Sequence, residues 1–329
     1  MSRISQLYHQ TVQFMAGKGL GHVSRTLRAG QPCILTFHGL RADDDPGLLD
    51  PELHTPVSLF REICGRLASH YQVRPLSEIT RALQNRLPLP DRTVAITFDD
   101  GYASNYHLAY PILKEFGLSA TIFVTSGFVD RTHRLWFHRL ESACASVGKN
   151  YAAAAAIIKQ LPQERVDAEV SRLENEWGIR SEATNAVPAI FQPLTWDQVR
   201  EMQASGLIEF GAHTRRHLIL GRCDANTAMA EIEHSRDRLT TETGVRPILF
   251  AYPNGQPGDY TAETVRLMRA AGFHAAVTMS PGFVEPTCGL FEIPRYGAPM
   301  SVAETEATVS GAFETLKAWR LATREALAA

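Results

Sequence analysis

Between residues 93 and 98 the chain alternates apolar Val94, Ile96 and Phe98 with Thr93, Ala95 and Thr97, the period of two expected of a strand. Cys33 to Phe37 and Ala120 to Val124 are short apolar runs of strand-compatible residues, and Leu207 to Phe210, Ile248 to Phe250 and Phe273 to Thr278 are shorter cases of the same kind. Between them the pattern predicts helices over Phe60 to His70, Pro111 to Phe116, Thr195 to Ser205, Thr227 to Thr243 and Ala262 to Ala271. Gly117 and Gly244 are placed to end two of these helices, and Thr195 with Gln198 reads as a capping box. Strands and helices in alternation after Pro32 predict an α/β fold with a parallel sheet. Leu140 to Arg180 breaks the rhythm with an Ala-rich run, Ala152 to Ile158, and a charged stretch through Glu176, which predicts inserted helices.

The expected organisation is an N-terminal helical extension over residues 1–30, an α/β domain over 31–300 with a helical insertion at about 140–193, and a C-terminal helix over 301–329. At 329 residues, with 44% hydrophobic and 21% charged, one large core can form. The net charge of −2 argues against a nucleic-acid partner. Five cysteines without a C-x-x-C pair read as reduced residues. No apolar run approaches a membrane span and polar residues interrupt any leader-like stretch after Met1, so a cytoplasmic protein is expected. The first 42 residues hold Arg3, Lys18, Arg25, Arg28 and Arg41 and no acid. Two readings stay open: peripheral contact with an anionic membrane surface, or an apolar stripe packed on the domain with the basic residues in solvent. Oligomeric state is not legible.

The chemistry concentrates in two motifs. Thr97-Phe98-Asp99-Asp100-Gly101-Tyr102 ends the strand at 93–98, and His213-Thr214-Arg215-Arg216-His217 follows the strand at 207–210. Two imidazoles and a carboxylate suit a divalent first-row ion and leave positions open for water and substrate. We assign Asp100 to the metal with His213 and His217, and Asp99 to proton transfer, with Gly101 relieving crowding at the turn. Strand ends are where α/β barrels carry their active sites. Trp136 lies in the loop after Ala120 to Val124, where it would either present an aromatic face to a sugar ring or pack in the core.

These motifs, with Phe250-Ala251-Tyr252-Pro253-Asn254-Gly255, resemble those of the NodB-type polysaccharide deacetylases of carbohydrate esterase family 4. The resemblance covers roughly Pro32 to Tyr296 and implies a distorted (β/α) barrel with one metal ion, most plausibly Zn²⁺, at its mouth. It implies Asp99 as the base, Asp100, His213 and His217 as ligands, and Tyr102 and Tyr252 as substrate contacts within the matched motifs. Ala251 stands where the family carries the arginine that steadies the base, and Arg295 in Ile293-Pro294-Arg295-Tyr296 is the expected replacement. The same alignment puts the Asn254 N–H at the oxyanion donor position. No histidine follows His274, so the family's late acid histidine is missing. His38, after the run Cys33 to Phe37, resembles the branch with its acid on the first strand, and His274 is a weaker alternative.

The activity so implied is metal-dependent removal of acetyl from an N-acetylated sugar or glycan in exopolysaccharide or surface-glycan biosynthesis. Hydrolysis of a small non-sugar amide and a carbohydrate-binding pseudoenzyme are the alternatives. A pure binder has no need of Asp99 beside Asp100.

Overall fold

The computed structural model describes residues 11–45, 53–179 and 192–319. Ten strands occur among them: β1 (Cys33–Phe37), β2 (Gly39–Arg41), β3 (His54–Pro56), β4 (Gln72–Val73), β5 (Thr93–Phe98), β6 (Ala120–Val124), β7 (Ile208–Ala212), β8 (Leu249–Ala251), β9 (Ala275–Val277) and β10 (Tyr296–Gly297). The main sheet runs β10-β1-β5-β6-β7-β8-β9 with every pairing parallel. β4 pairs the start of β5 at Thr93 and Val94, ahead of Thr97 and Phe98, which pair β6. A bridge from Val277 to Ile293 draws the β9 edge toward the segment leading into β10, and the sheet curls into a distorted (β/α) barrel. β2 and β3 form a separate parallel pair.

The period of two sorts the strand residues onto two faces. Leu35, Phe37, Val94, Ile96, Phe98 and Ile122 join a core shared with the covering helices, including Phe60, Ile63 and Leu67 of helix Val57–His70 and Val199 and Met202 of helix Trp196–Ala204. Ile34, Ala95, Phe123, Ala251, Ala275 and Val277 meet on the other face, with Leu76 and Ile79 of helix Leu76–Asn85. Thr36, Thr97 and Thr121 lie in step with this inner set and are fully buried. Asp99 continues the same alternation, so strand period alone turns it inward.

β1, β5 and β6 coincide with the runs that predict them, and helix Trp196–Ala204 carries the Thr195/Gln198 capping box. Other boundaries move: the helix expected at Phe60 begins at Val57, that at Thr227 begins at Ala225 behind an Asp224 cap, and the last barrel strand shortens to Ala275–Val277. The insertion begins at Trp136, four residues before the charge pattern indicates. Its helices, Trp136–Val147, Tyr151–Ile158 and Val166–Glu176, build a second core around Phe137, Leu140, Ile158 and Val170. Its remainder, 180–191, lies outside the described residues. The expected C-terminal helix is interrupted. Val302–Val309 ends before Gly311, whose φ of +78° an L side chain rarely adopts, and a further helix occupies 312–319.

The N-terminal segment is helical over 11–27, and Val12, Ala16 and Leu20 bury against Ala307 and Ala312. Arg25 and Arg66 flank the buried Glu306 carboxylate, which also accepts from the Tyr71 hydroxyl at 3.0 Å. Arg28 lies over the Phe283 ring. Two of the basic residues read from the sequence therefore face protein; Arg3 lies outside the described residues. No described helix is long and apolar enough to cross a membrane, and all five cysteines are free.

Candidate active site

A cavity of about 230 Å³ opens at the C-terminal ends of the strands. His38 follows β1, Asp99 and Asp100 follow β5, His213 follows β7, and Asn254 follows β8; all five line it, with His217 from the His motif and Trp136 from the insertion. Four of these loop residues, Asp100, His217, Asn254 and the intervening Thr214, hold φ between 61° and 74°. Non-glycine residues seldom occupy that region, and its repetition around one cavity fits backbone held in place by its surroundings. Gly101, at φ +89°, has Val124 where a side chain would begin, so the turn after the carboxylates needs a glycine on two counts.

Asp99 is gripped by Arg295. The guanidinium donates through Nη1 and Nη2 to the two carboxylate oxygens at 2.9 and 2.7 Å, and its own position is set by Thr278 O at 3.0 Å and Thr97 Oγ1 at 3.1 Å. Arg295 is fully buried behind the carboxylate rather than on the cavity wall. Burial pushes the Asp99 carboxyl up, but Arg295 and then His213 more than offset this and hold it at about 2.

Asp100 has the opposite setting. Burial and then the neighbouring Asp99 charge push its carboxyl well above the usual range. Its Oδ1 has no hydrogen-bond partner, yet it faces His213 Nε2 at 3.5 Å and His217 Nε2 at 3.4 Å. These contacts are not ion pairs, because burial lowers both imidazoles, His213 to about 4 and His217 well below its usual value. His213 Nδ1 lies 2.7 Å from the Ala251 carbonyl, which must accept, so Nδ1 carries the proton and Nε2 presents a lone pair. A carboxylate oxygen and two imidazole nitrogens thus converge within 4.8 Å of one another in a buried setting. Such acceptors repel without a cation between them, and their number and type fit a divalent ion with open positions.

Two expected substrate contacts are corrected. Tyr102 is fully buried and absent from the cavity wall: its ring packs on Phe128 and its hydroxyl lies 2.6 Å from His138 Nε2 and reaches Asp100 from behind. Tyr252 is 1% exposed and stacks on Tyr260 at 4.5 Å, facing away from the site. Tyr102 turns toward helices Ser126–Val129 and Trp136–Val147, and Tyr252 toward the loop that carries Tyr260. Trp136 does line the cavity, edge-on to Phe137, while contributing to the insertion's core. The Asn254 side chain donates to Asp259 Oδ2, which also accepts from Gln256 N at 2.9 Å. This latches the loop, and no backbone hydrogen bond among the described residues uses the Asn254 N–H. His274 is not on the cavity wall.

The insertion supplies wall residues with no sequence signal of their own: Phe137, whose ring meets His217 at 5.0 Å, and Tyr151 and Lys159 at the two ends of its Ala-rich helix. Gln163 ties the insertion to the His-motif loop by accepting from Ile219 N at 2.9 Å.

A family model described as polysaccharide deacetylase matches residues 86–276, more than half of the chain. The chain belongs to the polysaccharide deacetylase family. Among curated relatives, the poly-β-1,6-N-acetyl-D-glucosamine N-deacetylase of Escherichia coli K12 is 25% identical over 228 residues, 68% of this chain and 30% of the relative. YxkH of Bacillus subtilis, which carries a polysaccharide deacetylase description, is 23% identical over 225 residues, 68% of this chain and 58% of that protein. The chain therefore matches just over half of one curated relative and under a third of the other. Among solved structures, the deacetylase PplD of Streptococcus pyogenes in complex with acetate superposes with a TM-score of 0.61 at 21% identity, covering 85% of this chain and 99% of that one. IcaB from Ammonifex degensii gives 0.59 at 21% identity, with 85% and 97% covered. At such identities the likeness establishes a shared fold, the distorted barrel of polysaccharide deacetylases.

Proposed function

We propose that this polysaccharide deacetylase family member is a metal-dependent N-deacetylase acting on an N-acetylated sugar in exopolysaccharide or surface-glycan biosynthesis. The observation that carries the reading is the pairing of a guanidinium-held carboxylate, Asp99, with an adjacent carboxylate, Asp100, whose Oδ1 converges with His213 and His217 and has no hydrogen-bond partner. The poly-N-acetylglucosamine deacetylase among the relatives supports the substrate class.

Asp100, His213 and His217 would hold the divalent ion, for which zinc suits two nitrogens and one oxygen. When bound, it supplies Lewis acidity toward the acetamido carbonyl and the attacking water. Asp99, kept ionised and oriented by Arg295, takes the water's proton as its oxygen bonds to the carbonyl carbon. The Asn254 N–H donates to the oxyanion that develops. His38, at the end of β1 beside β5, delivers a proton to the nitrogen as the C–N bond breaks, leaving acetate and a free amine. That last step separates amide cleavage from ester hydrolysis, because an unprotonated amine leaves poorly.

The test is acetate release from N-acetylglucosamine oligomers and, in parallel, from a simple aryl acetamide, with metal content measured on the same protein. Purified protein is expected to carry about one divalent ion per chain, to release acetate from the oligomers and to lose both properties in the His213→Ala, His217→Ala variant. Full metal occupancy in that variant refutes the site. Turnover of the aryl acetamide alone refutes the sugar.

A further inference from the structure

We propose that Lys159 selects an N-acetylated sugar carrying an anionic group, a phosphate ester or a carboxylate, near the acetamido position; this rests on the deacetylase reading. Lys159 lines the cavity and its charge acts on His217. Neither carboxylate of the cavity pairs with it. Asp99 has Arg295, and Asp100 faces two neutral imidazoles in a set that calls for its own cation. Lys159 forms no salt bridge or hydrogen bond through its side chain with any described residue.

Its placement is not that of a free surface lysine. It follows Ile158, which is 1% exposed in the insertion's core, and its backbone N–H closes onto Ala155 O at 2.9 Å. Tyr151 lines the same cavity at the other end of this helix, so the helix lies along the wall for about 12 Å. Gln163, four residues on, anchors the turn to Ile219. The backbone that carries the ammonium is thereby held beside the cavity by a packed element. An ammonium has three donors and no acceptor. Beside a divalent ion in one partly enclosed cavity it adds repulsion, which a neutral sugar leaves in place and an anionic sugar relieves. A phosphate or carboxylate within reach of Lys159 accepts a charge-assisted hydrogen bond while the acetamido group sits between Asp99 and the metal ligands.

The test compares three sugars that share one acetamido ring: N-acetylglucosamine, its 1-phosphate, and N-acetylmuramic acid with its carboxylate. Calorimetric binding is measured alongside acetate release, on full-length metal-loaded protein. The parent should bind at least one anionic sugar more tightly than the neutral one by about tenfold to a hundredfold. Lys159→Met should bring the ratio of anionic to neutral sugar close to one, mainly through KM, and Lys159→Arg should restore it. Which of the two anionic sugars responds identifies the anion. Equal binding of all three by the parent, or a Lys159→Met protein that keeps the parent's ratio, overturns the inference. Anion-selective binding without acetate release would uphold the role of Lys159 and sink the deacetylase reading.

Discussion

Asp99 and Asp100 share a residue type, a peptide bond and nearly complete burial, yet they sit in opposite electrostatic settings. Asp99 has its charge answered by a fixed guanidinium, so it stays ionised without help. Asp100 has only the Tyr102 hydroxyl and, after it, the charge of Arg295 to set against burial and the Asp99 charge, and it faces two lone pairs, so its neutral form is favoured while no cation is bound. The lesson is that the division of labour between adjacent carboxylates is made by what stands behind each one. Arg295 comes from the far end of the barrel chain, and the histidines from another strand end.

The comparison breaks most sharply at Asp99. Asp99→Asn should keep the ion and lower turnover by ~10²–10⁴, the usual size of a lost general base. Metal analysis alongside steady-state rates checks both halves, and a metal-free variant would mean that the two carboxylates share the ion. Arg295→Met comes next, since breaking a buried pair by removing one partner costs about 3–5 kcal/mol.

The pH dependence of that variant sharpens the point. In the parent, Asp99 is depressed to about 2, so its stabilising contribution is fully present above the ordinary carboxylate range near ~4 and is lost as pH falls toward 2. Without Arg295, burial dominates and the carboxyl rises, so the variant's deficit should be largest at neutral pH and shrink on acidification. Thermal melting from pH 7 to 3 reads this directly, and a deficit constant across that range would show that the ion pair is not its source.

His38→Ala should lose amide hydrolysis by about a hundredfold. An activated aryl acetate, whose leaving group needs no proton, should lose much less, and equal losses would assign His38 to binding or structure. Tyr102→Phe is the smallest step and touches only the Asp100 side. It removes the hydroxyl that reaches that carboxylate from behind, and metal affinity should fall by about tenfold, the low end for outer partners of metal ligands. Chelator competition measures it, and an unchanged affinity would leave Tyr102 as packing alone.

Much of this was readable from residue order. The runs at Cys33–Phe37, Thr93–Phe98 and Ala120–Val124 are strands with the expected bounds, and Thr195 and Gln198 form the expected cap. Those features depend on side-chain alternation and on hydrogen bonds between residues three apart, both local. The convergence of Asp100, His213 and His217 follows from motifs at the ends of parallel strands, because a parallel barrel brings such ends to one rim. The start of the insertion at Trp136 and the break at Gly311 were less legible, since both depend on packing against distant segments.

Residue order by itself determined an α/β fold with a parallel sheet, the Asp-Asp and His motifs at strand ends and, through strand period, an inward Asp99, because each follows from a period or a spacing along the chain; the barrel was what the family resemblance implied. Only the tertiary structure decided which way side chains turn after the strands end. Tyr102 and Tyr252 leave the site for the core, and Asp100, Thr214, His217 and Asn254 all take left-handed backbone, which local preference alone does not fix. It also set the two-point geometry by which Arg295, the residue expected there, grips Asp99, and it decided that Lys159 and Tyr151 reach the cavity from a helix inserted elsewhere in the chain. The reason is physical: beyond a strand end no repeating hydrogen-bond pattern dictates direction, so contacts from remote segments set the geometry.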